Sequence, residues 1–307
     1  MLNVRERIRK TAAEAAVDVC WRQWRALGFA GTGDPAARLR TQIDPEALVL
    51  ASLSVAPHER RLDDATAWWA VAGARWLSVQ RMKTLAADFP EPTREALGRF
   101  ASQADVGGDR RWRALRTTSH ESKLKGGEPR LLDPAALVHR ARAGFGVGIK
   151  ADVLAILMAA PWNDVSQNVA DLHDALGYTK TALRTALRDL VQAGLVIATD
   201  APPARYLMRI EGQALPGITP PSDRDLLPRW GYWRQALRLW AAAEHVCRPW
   251  DTSRSDYALG SRLYDEVQRA QPLVRWPADH VRPGDPAFLE AFAATFDGFS
   301  QKLMASA

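Results

Sequence analysis

Apolar residues recur along most of this chain at the three- and four-residue spacing of one helix face, whereas the alternation typical of strands is rare. Glycine and proline interrupt the pattern at Gly28, Pro57, Gly73 and Pro90, where helices are expected to end. Outside the centre of the chain, the pattern predicts helices over residues 2–28, 47–56, 63–71, 78–87, 93–104, 229–246, 253–270 and 286–304. The predicted fold is therefore mainly α.

The central residues 149–210 follow a more specific order: a helix, a second helix, a tight turn, a third helix and two short strands. Residues 149–160 are largely apolar and predict a buried first helix. Leu172 and Leu176 lie at helical spacing in the short second helix. Gly177 follows it and can adopt the positive φ that a sharp turn requires.

The third helix of this segment is strongly amphipathic. Thr179 is a suitable N-cap, and Gly194 is expected to end the helix. Leucine and alanine at i, i+3, i+4 and i+7 predict an inner face made of Leu183, Ala186, Leu187 and Leu190. Polar and cationic residues are left for the outer face, namely Lys180, Thr181, Arg184, Thr185 and Arg188.

Two β-compatible segments come after this helix, at residues 195–199 and 205–210. The loop between them, Asp200-Ala-Pro-Pro-Ala204, would form a short wing. No basic residue lies between Asp200 and Ala204, so that Arg205 at the base of the wing is its nearest cation.

The pattern Leu183, Leu187, Leu190 and Gly194-Leu195 resembles that of the winged helix-turn-helix superfamily of bacterial regulators, of which the MarR and ArsR families are examples. The resemblance covers about a fifth of the chain. It implies that the third helix enters the major groove of DNA while the wing touches the backbone. By position, the groove-facing residues would be Lys180, Thr181, Arg184, Thr185 and Arg188, and Arg205 would meet a phosphate.

The whole chain is then predicted to consist of helical N- and C-terminal domains that flank a central winged helix-turn-helix with a small β-wing. The predicted boundaries are an N-terminal helical domain at 1–116, a linker with a short helix at 117–148, the winged helix-turn-helix at 149–212 and a C-terminal helical domain at 222–307. Because a two-fold protein matches a palindromic site, the C-terminal domain is expected to supply dimer contacts.

The net charge of +6 is not located in the central segment. Residues 149–210 hold six basic and six acidic side chains, and residues 211–307 hold eleven and twelve. That leaves 24 basic and 17 acidic side chains in residues 1–148, a net charge of +7. Cations far from a recognition helix can still neutralise phosphate, and we expect this of Lys150, Arg111 and Arg113.

Two other features of the N-terminal half bear on this charge. Arg110-Arg-Trp-Arg113 interleaves cations with an aromatic ring, a pattern typical of phosphate or base contacts. A second basic cluster contains Arg81 and Lys83, and the sequence does not decide whether it contacts nucleic acid, a protein partner or only solvent.

The 12 tryptophans of the chain are interpreted mainly as core and interface residues, with a ligand pocket or stacking surface as the alternative.

The sequence offers little for catalysis. No histidine pair has metal-ligand spacing, no catalytic triad has local support, and no cofactor or metal is predicted. Gly144–Lys150 departs from a phosphate-binding loop, because Ala151 follows the lysine where a Ser or Thr is required. Cys20 and Cys247 are expected to be buried thiols. No transmembrane or signal segment is recognised, and a cytoplasmic location is expected.

We therefore predict a DNA-binding transcriptional regulator that acts as a homodimer on double-stranded DNA, without a membrane partner and with an effector that the sequence does not identify. The alternative is an antitoxin-like or scaffold module whose winged helix docks a partner protein, which the neutral charge of residues 149–210 favours. An enzyme acting on nucleic acid is a third and weaker hypothesis, because paired carboxylates and metal-ligand spacing are missing from the sequence.

Overall fold

The structure is a computed structural model, and it describes residues 3–29, 39–117, 127–159, 166–200, 202–208, 228–248, 255–270, 273, 282–283, 285 and 287–306. The chain divides into two compact units. The first unit comprises Met1–Asp34, Asp44–Pro129 and Tyr232–Ala307, and the second comprises Pro35–Ile43 and Arg130–Gly231.

The described residues are mainly helical, as the sequence predicts. The α-helices are, in chain order, α1 (Val4–Ala26), α2 (Pro45–Val55), α3 (Arg61–Ala72), α4 (Val79–Ala86), α5 (Glu91–Val106), α6 (Leu137–Phe145), α7 (Ile149–Ala159), α8 (Val169–Leu176), α9 (Lys180–Gln192), α10 (Trp233–Val246), α11 (Asp256–Arg269) and α12 (Phe288–Ser306). The strands are β1 (Thr41–Gln42), β2 (Val196–Ala198), β3 (Tyr206–Met208) and β4 (Arg229–Trp230). Short 3₁₀ helices lie at Ala74–Trp76, Arg110–Leu115 and Pro134–Ala136.

The first unit is built around α1, which packs against α2, α10 and α12. Hydrogen bonds fix two of its buried rings, since Trp24 Nε1 donates to Ser52 Oγ at 2.9 Å and Trp240 Nε1 donates to Ser300 Oγ at 3.0 Å. The division therefore differs from the one predicted, in which the two ends of the chain form separate domains. The apolar stripe of α1 buries against helices from both ends, which gives them a common core.

The interpretation of tryptophan as a core residue is confirmed for six side chains that are almost fully buried: Trp24, Trp68, Trp69, Trp112, Trp233 and Trp240. Several of these rings contact one another, with the centroids of Trp68 and Trp69 5.3 Å apart and those of Trp24 and Trp69 5.6 Å apart. Large buried rings supply much apolar area per residue, and they stabilise the contacts among these helices.

The basic cluster at Arg81 and Lys83 is not a continuous exposed surface. Lys83 is exposed, but Arg81 is buried between two carboxylates. Its Nη1 and Nη2 each donate to Asp44 at 2.6 Å, and Nη1 also donates to Glu46. Arg81 turns inward beside Met82 and Leu85 because the carboxylates compensate its charge there, and this removes it as a contact for nucleic acid.

The second unit contains α6 to α9 and both two-stranded sheets. β1 pairs with β4 in parallel, and β2 pairs with β3 antiparallel. Small apolar residues of α6 and α7 pack together in a core that includes Leu137, Val138, Ala141, Ala151, Ala155 and Ala159. The helix predicted as part of a linker therefore belongs to this unit. The parallel pair is a feature that the local sequence pattern did not predict.

Within the ranges that the structure describes, no helix has the length and apolarity needed to span a bilayer.

Candidate nucleic-acid interface

The approach to α9 is fixed by local hydrogen bonds in α8 and the turn. Asn168 caps α8 with a reciprocal pair of bonds, because its Oδ1 accepts from the Asp171 amide at 3.0 Å while Asp171 Oδ2 accepts from the Asn168 amide at 2.9 Å. Gly177 has a φ of 76°, the left-handed conformation predicted for the turn. The helices α8 and α9 thus follow one another through three residues with defined geometry.

The amphipathic character of α9 is confirmed by burial. The amide of Ala182 donates to the Thr179 side chain at 3.3 Å, so the predicted N-cap is in place. The inner residues Leu183, Ala186, Leu187 and Leu190 are all buried. The predicted outer residues are all exposed, namely Lys180, Thr181, Arg184, Thr185 and Arg188. Burial of each leucine contributes about 2 kcal/mol, which holds the helix against α7 and α8.

The cations on α9 are not equally available. Asp189 accepts from Lys150 Nζ at 2.9 Å and lies 4.0 Å from Arg188 Nε. The bond from Lys150 is the main reason that the pKa of Asp189 lies below its usual value. In the part of the chain that the structure describes, neither Lys180 nor Arg184 forms an ion pair. The first two turns of α9 therefore present the cations that can most readily meet an external anion.

The hairpin after α9 pairs Val196 with Met208 and Ala198 with Tyr206. A third extended segment joins it, because Gln167 exchanges two backbone hydrogen bonds with Tyr206, at 2.8 and 3.0 Å. The sequence pattern did not indicate this bridge, and a lone residue between two helices carries no periodic signal. The bridge ties the segment before α8 to the hairpin after α9.

Arg205 stands at the base of this hairpin and is exposed. Its Nη1 donates to the Ser166 carbonyl at 2.8 Å, and its backbone carbonyl accepts from the Thr199 amide at 2.9 Å. Arg205 therefore has an anchoring role within the unit, and its contact with phosphate stays a prediction.

The two other predicted phosphate contacts, Arg111 and Arg113, lie in the first unit. Arg111 donates to both carboxylate oxygens of Asp109, at 2.9 and 2.6 Å, and to the Ala74 carbonyl at 3.2 Å. The side-chain bond from Arg111 is the main cause of the low pKa of Asp109. Arg113 is more open, with its side chain 63% exposed and Nε 3.7 Å from Asp105.

Trp112, between these arginines, is fully buried, with its ring centroid 5.1 Å from that of Phe100. The pattern of cations and an aromatic ring is therefore part of the core boundary, and it offers no exposed ring on which a base could stack. The sequence alone could not distinguish an exposed stacking ring from a buried core ring, because both use the same residues at the same spacing.

Candidate chemistry elsewhere is sparse. Among the described residues no group of three or more His, Cys, Asp or Glu side chains could hold a metal ion. Cys20 and Cys247 are buried, as predicted, and burial raises the pKa of each thiol to about 12. A thiol with so high a pKa is a poor nucleophile.

Comparison with known proteins finds no match for this chain among protein-family models, curated proteins or solved structures.

Proposed function

We propose that this protein is a sequence-specific DNA-binding transcriptional regulator in which residues 149–210 form a winged helix-turn-helix. The observation that carries the proposal is α9 itself, a helix buried along one side by leucines and exposed along the other at Lys180, Arg184 and Arg188. The major groove of B-DNA is wide enough to admit an α-helix, and the three cations recur at four-residue intervals along the exposed side.

The residue types on this surface suit base-edge recognition. An arginine can donate two hydrogen bonds to the O6 and N7 atoms of guanine, and threonine can bond to several bases or contact the thymine methyl group. Arg184 is the best placed of these residues, because within the described ranges no carboxylate pairs with it. Because the guanidinium has no internal ion pair to break, less of its binding free energy to DNA is offset.

Residues around the recognition surface would position the protein without reading bases. Lys180, at the first turn of α9, supplies a point charge for phosphate, and the hairpin carries Arg205. Lys150 is already paired with Asp189, so we expect it to contribute less to phosphate binding than Lys180 does.

We also propose a homodimer in the cytoplasm. Two copies of α9 related by a two-fold axis would read two half-sites of a palindrome, one helical turn or a multiple of it apart. A footprint with two symmetric halves and a dimeric mass in sedimentation would support this. If the protein is a monomer and its footprint covers one half-site only, the dimer proposal is wrong, but the proposed role of α9 in base recognition is unaffected.

The proposal is tested by selecting duplexes from a random library with the full chain, followed by footprinting on an enriched sequence. Arg184→Ala is then expected to lose discrimination at one base pair, whereas Arg99→Ala, a matched change at an exposed arginine of α5, keeps it. If no sequence is enriched and random duplex binds no more tightly at low salt, the proposal is wrong.

A protein-docking module is the second candidate, and one observation on the hairpin favours it. Ile197 and Leu207 are directly opposite each other on β2 and β3, and each is 38% exposed. An exposed apolar pair is more typical of a contact with protein than with a phosphate backbone. The two candidates separate on salt dependence, since DNA binding weakens steeply as salt rises.

A further inference from the structure

A buried ion pair joins α6 to α7 inside the second unit. Arg142 donates from Nε to Asp152 Oδ1 at 2.7 Å and from Nη2 to Oδ2 at 2.8 Å. Both side chains are at most 1% exposed. A bidentate pair of this kind has a fixed geometry, so Asp152 is a rigid acceptor within the core.

The turn before α9 is attached to this pair by one residue. The hydroxyl of Tyr178 donates to Asp152 Oδ2 at 2.7 Å. The carbonyl of the same residue accepts from His173 Nδ1 in α8 at 2.6 Å. Because a carbonyl oxygen can only accept, His173 must carry its proton on Nδ1 for this bond to form.

Tyr178 therefore contacts α7 through its side chain and α8 through its backbone, and the next residue, Thr179, is the N-cap of α9. We propose that Tyr178 is a positioning residue, whose hydroxyl fixes the start of α9 on the buried Asp152–Arg142 pair. The apolar inner face of α9 determines which side is buried. The hydrogen bond from Tyr178 determines the position of the first turn of α9 along the helix axis and its rotation about that axis.

The consequence for recognition rests on the proposed function. Bidentate contacts between an arginine and a base tolerate displacements of only about 0.5 Å before geometry is lost. Arg184 is five residues after Thr179 on the same helix, so its guanidinium moves with any shift of the first turn. A loosened start of α9 should therefore weaken binding to the selected sequence more than binding to random duplex.

The test variant is Tyr178→Phe, which removes the hydroxyl and keeps the ring. The fold should survive, because Asp152 retains both bonds from Arg142. Tyr257→Phe is the matched control, since this tyrosine is 65% exposed on α11 and lies in the first unit. Hydrogen–deuterium exchange of the full-length variants then reports on the start of α9 without any reference to DNA.

The informative amides are those of Ala182 and Leu183, which donate to the side chain and carbonyl of Thr179 at 3.3 and 3.0 Å. In Tyr178→Phe we expect their exchange to accelerate about tenfold, the order expected for the loss of one bond to a charged group. Exchange in α7 and in the last turn of α9 should stay at the wild-type rate, and Tyr257→Phe should match the wild type throughout.

Unchanged exchange at Ala182 and Leu183 would overturn the proposal, as would a uniform acceleration across α7, α8 and α9, which indicates general destabilisation. A companion measurement compares affinity for the selected and random duplexes. A lower ratio of selected to random affinity in Tyr178→Phe than in the wild type supports the positioning role. If the wild type is selective and the variant has the same ratio, the proposed consequence for recognition is wrong. If the wild type selects no DNA while the exchange result holds, the regulator hypothesis fails and the positioning role of Tyr178 stands.

Discussion

The buried arginines of the first unit and the exposed cations of α9 in the second unit differ in how their charge is compensated. In the first unit several arginines are compensated within the fold, as for Arg81 with Asp44 and Glu46, Arg238 with Glu266 and Arg248 with Glu244. In the second unit α9 exposes Lys180 and Arg184 without an ion pair among the described residues. Yet along the sequence, residues 1–148, which belong mostly to the first unit, carry a net charge of +7, and residues 149–210, which lie in the second unit, carry none.

Net charge over a stretch of sequence is therefore a poor guide to where an anion would bind. The availability of a cation to an external anion depends on whether a carboxylate lies within bonding distance and on how much of the cationic side chain is exposed. An arginine held by two buried carboxylates compensates their charge inside the fold, and it can contact a phosphate only if those bonds break. The candidate interface is predicted by helical periodicity, which places side chains on a face, and not by net charge.

The largest effect that would sharpen this contrast is expected from Arg81→Ala. The change leaves Asp44 and Glu46 fully buried and without their shared cation, which should cost about 3–5 kcal/mol in the free energy of unfolding. Urea denaturation followed by tryptophan fluorescence would measure it, because all six of the almost fully buried tryptophans named above lie in the first unit. Lys83→Ala, two residues away and exposed, is the control, and it should change stability by less than about 0.5 kcal/mol.

If Arg81→Ala is as stable as Lys83→Ala, the distinction between compensated and available cations fails in the first unit.

Arg184→Ala is the corresponding change in the second unit, and its effect should fall on binding. We expect a loss of about 1–3 kcal/mol in discrimination at one base pair and a change in stability below about 0.5 kcal/mol. Competition binding against point variants of a selected duplex, together with thermal melting, separates the two quantities. Loss of stability without loss of discrimination would show that Arg184 serves the fold and would remove the contrast with Arg81.

The parts of this picture that could be predicted from sequence are those that local rules determine. Thr179 as a cap, Gly177 in the left-handed turn and the buried leucines of α9 all depend on residues within a few positions of one another. The common core of α1, α10 and α12 and the β1–β4 pair depend on residues far apart in the chain. Periodicity states that a face is apolar, but it does not state which distant face covers it.

Buried charges were missed for a similar reason. Asp152 lies in the apolar run of α7, between Ala151 and Val153, and both of these neighbours are also buried. A carboxylate at such a position needs a cationic partner, and the position of Asp152 in the apolar run is the sequence signal for it. The identity of that partner, Arg142 on the preceding helix, required the fold.

The compensated cluster around Glu244 gives a pH-dependent prediction for the first unit. Burial tends to raise the pKa of this carboxyl, but hydrogen bonds from His58 and Arg248 outweigh it and leave the pKa below its usual value. A carboxyl with a lowered folded pKa stabilises the protein above its unfolded pKa, and this contribution is lost as the pH falls through the folded value. The free energy of unfolding should therefore decrease below about pH 4.5.

Glu244→Gln provides the check, because an amide does not titrate in this range. The variant should be less stable than wild type at pH 7, and the difference should shrink as the pH approaches 3. A difference that stays constant with pH would show that Glu244 acts through packing alone.

The smallest expected effect compares two lysines within the second unit. Lys180→Ala removes an exposed cation that has no ion pair among the described residues, so the salt dependence of duplex binding should lose about one unit of slope. Lys150→Ala removes a cation that neutralises Asp189, which leaves this carboxylate of α9 without the lysine. Surface pairs of this kind contribute little to stability because solvent screens them, so melting should hardly change for either variant.

The effects of the two lysine substitutions on duplex binding should then differ in kind. Lys180→Ala is expected to weaken all duplexes uniformly, whereas Lys150→Ala acts through the exposed Asp189 carboxylate and should be rescued in the double variant Lys150→Ala, Asp189→Asn. Rescue would show that Lys150 contributes by compensating Asp189. If the double variant binds as weakly as Lys150→Ala, Lys150 contacts phosphate directly, and an ion pair within the fold does not make a cation unavailable to DNA.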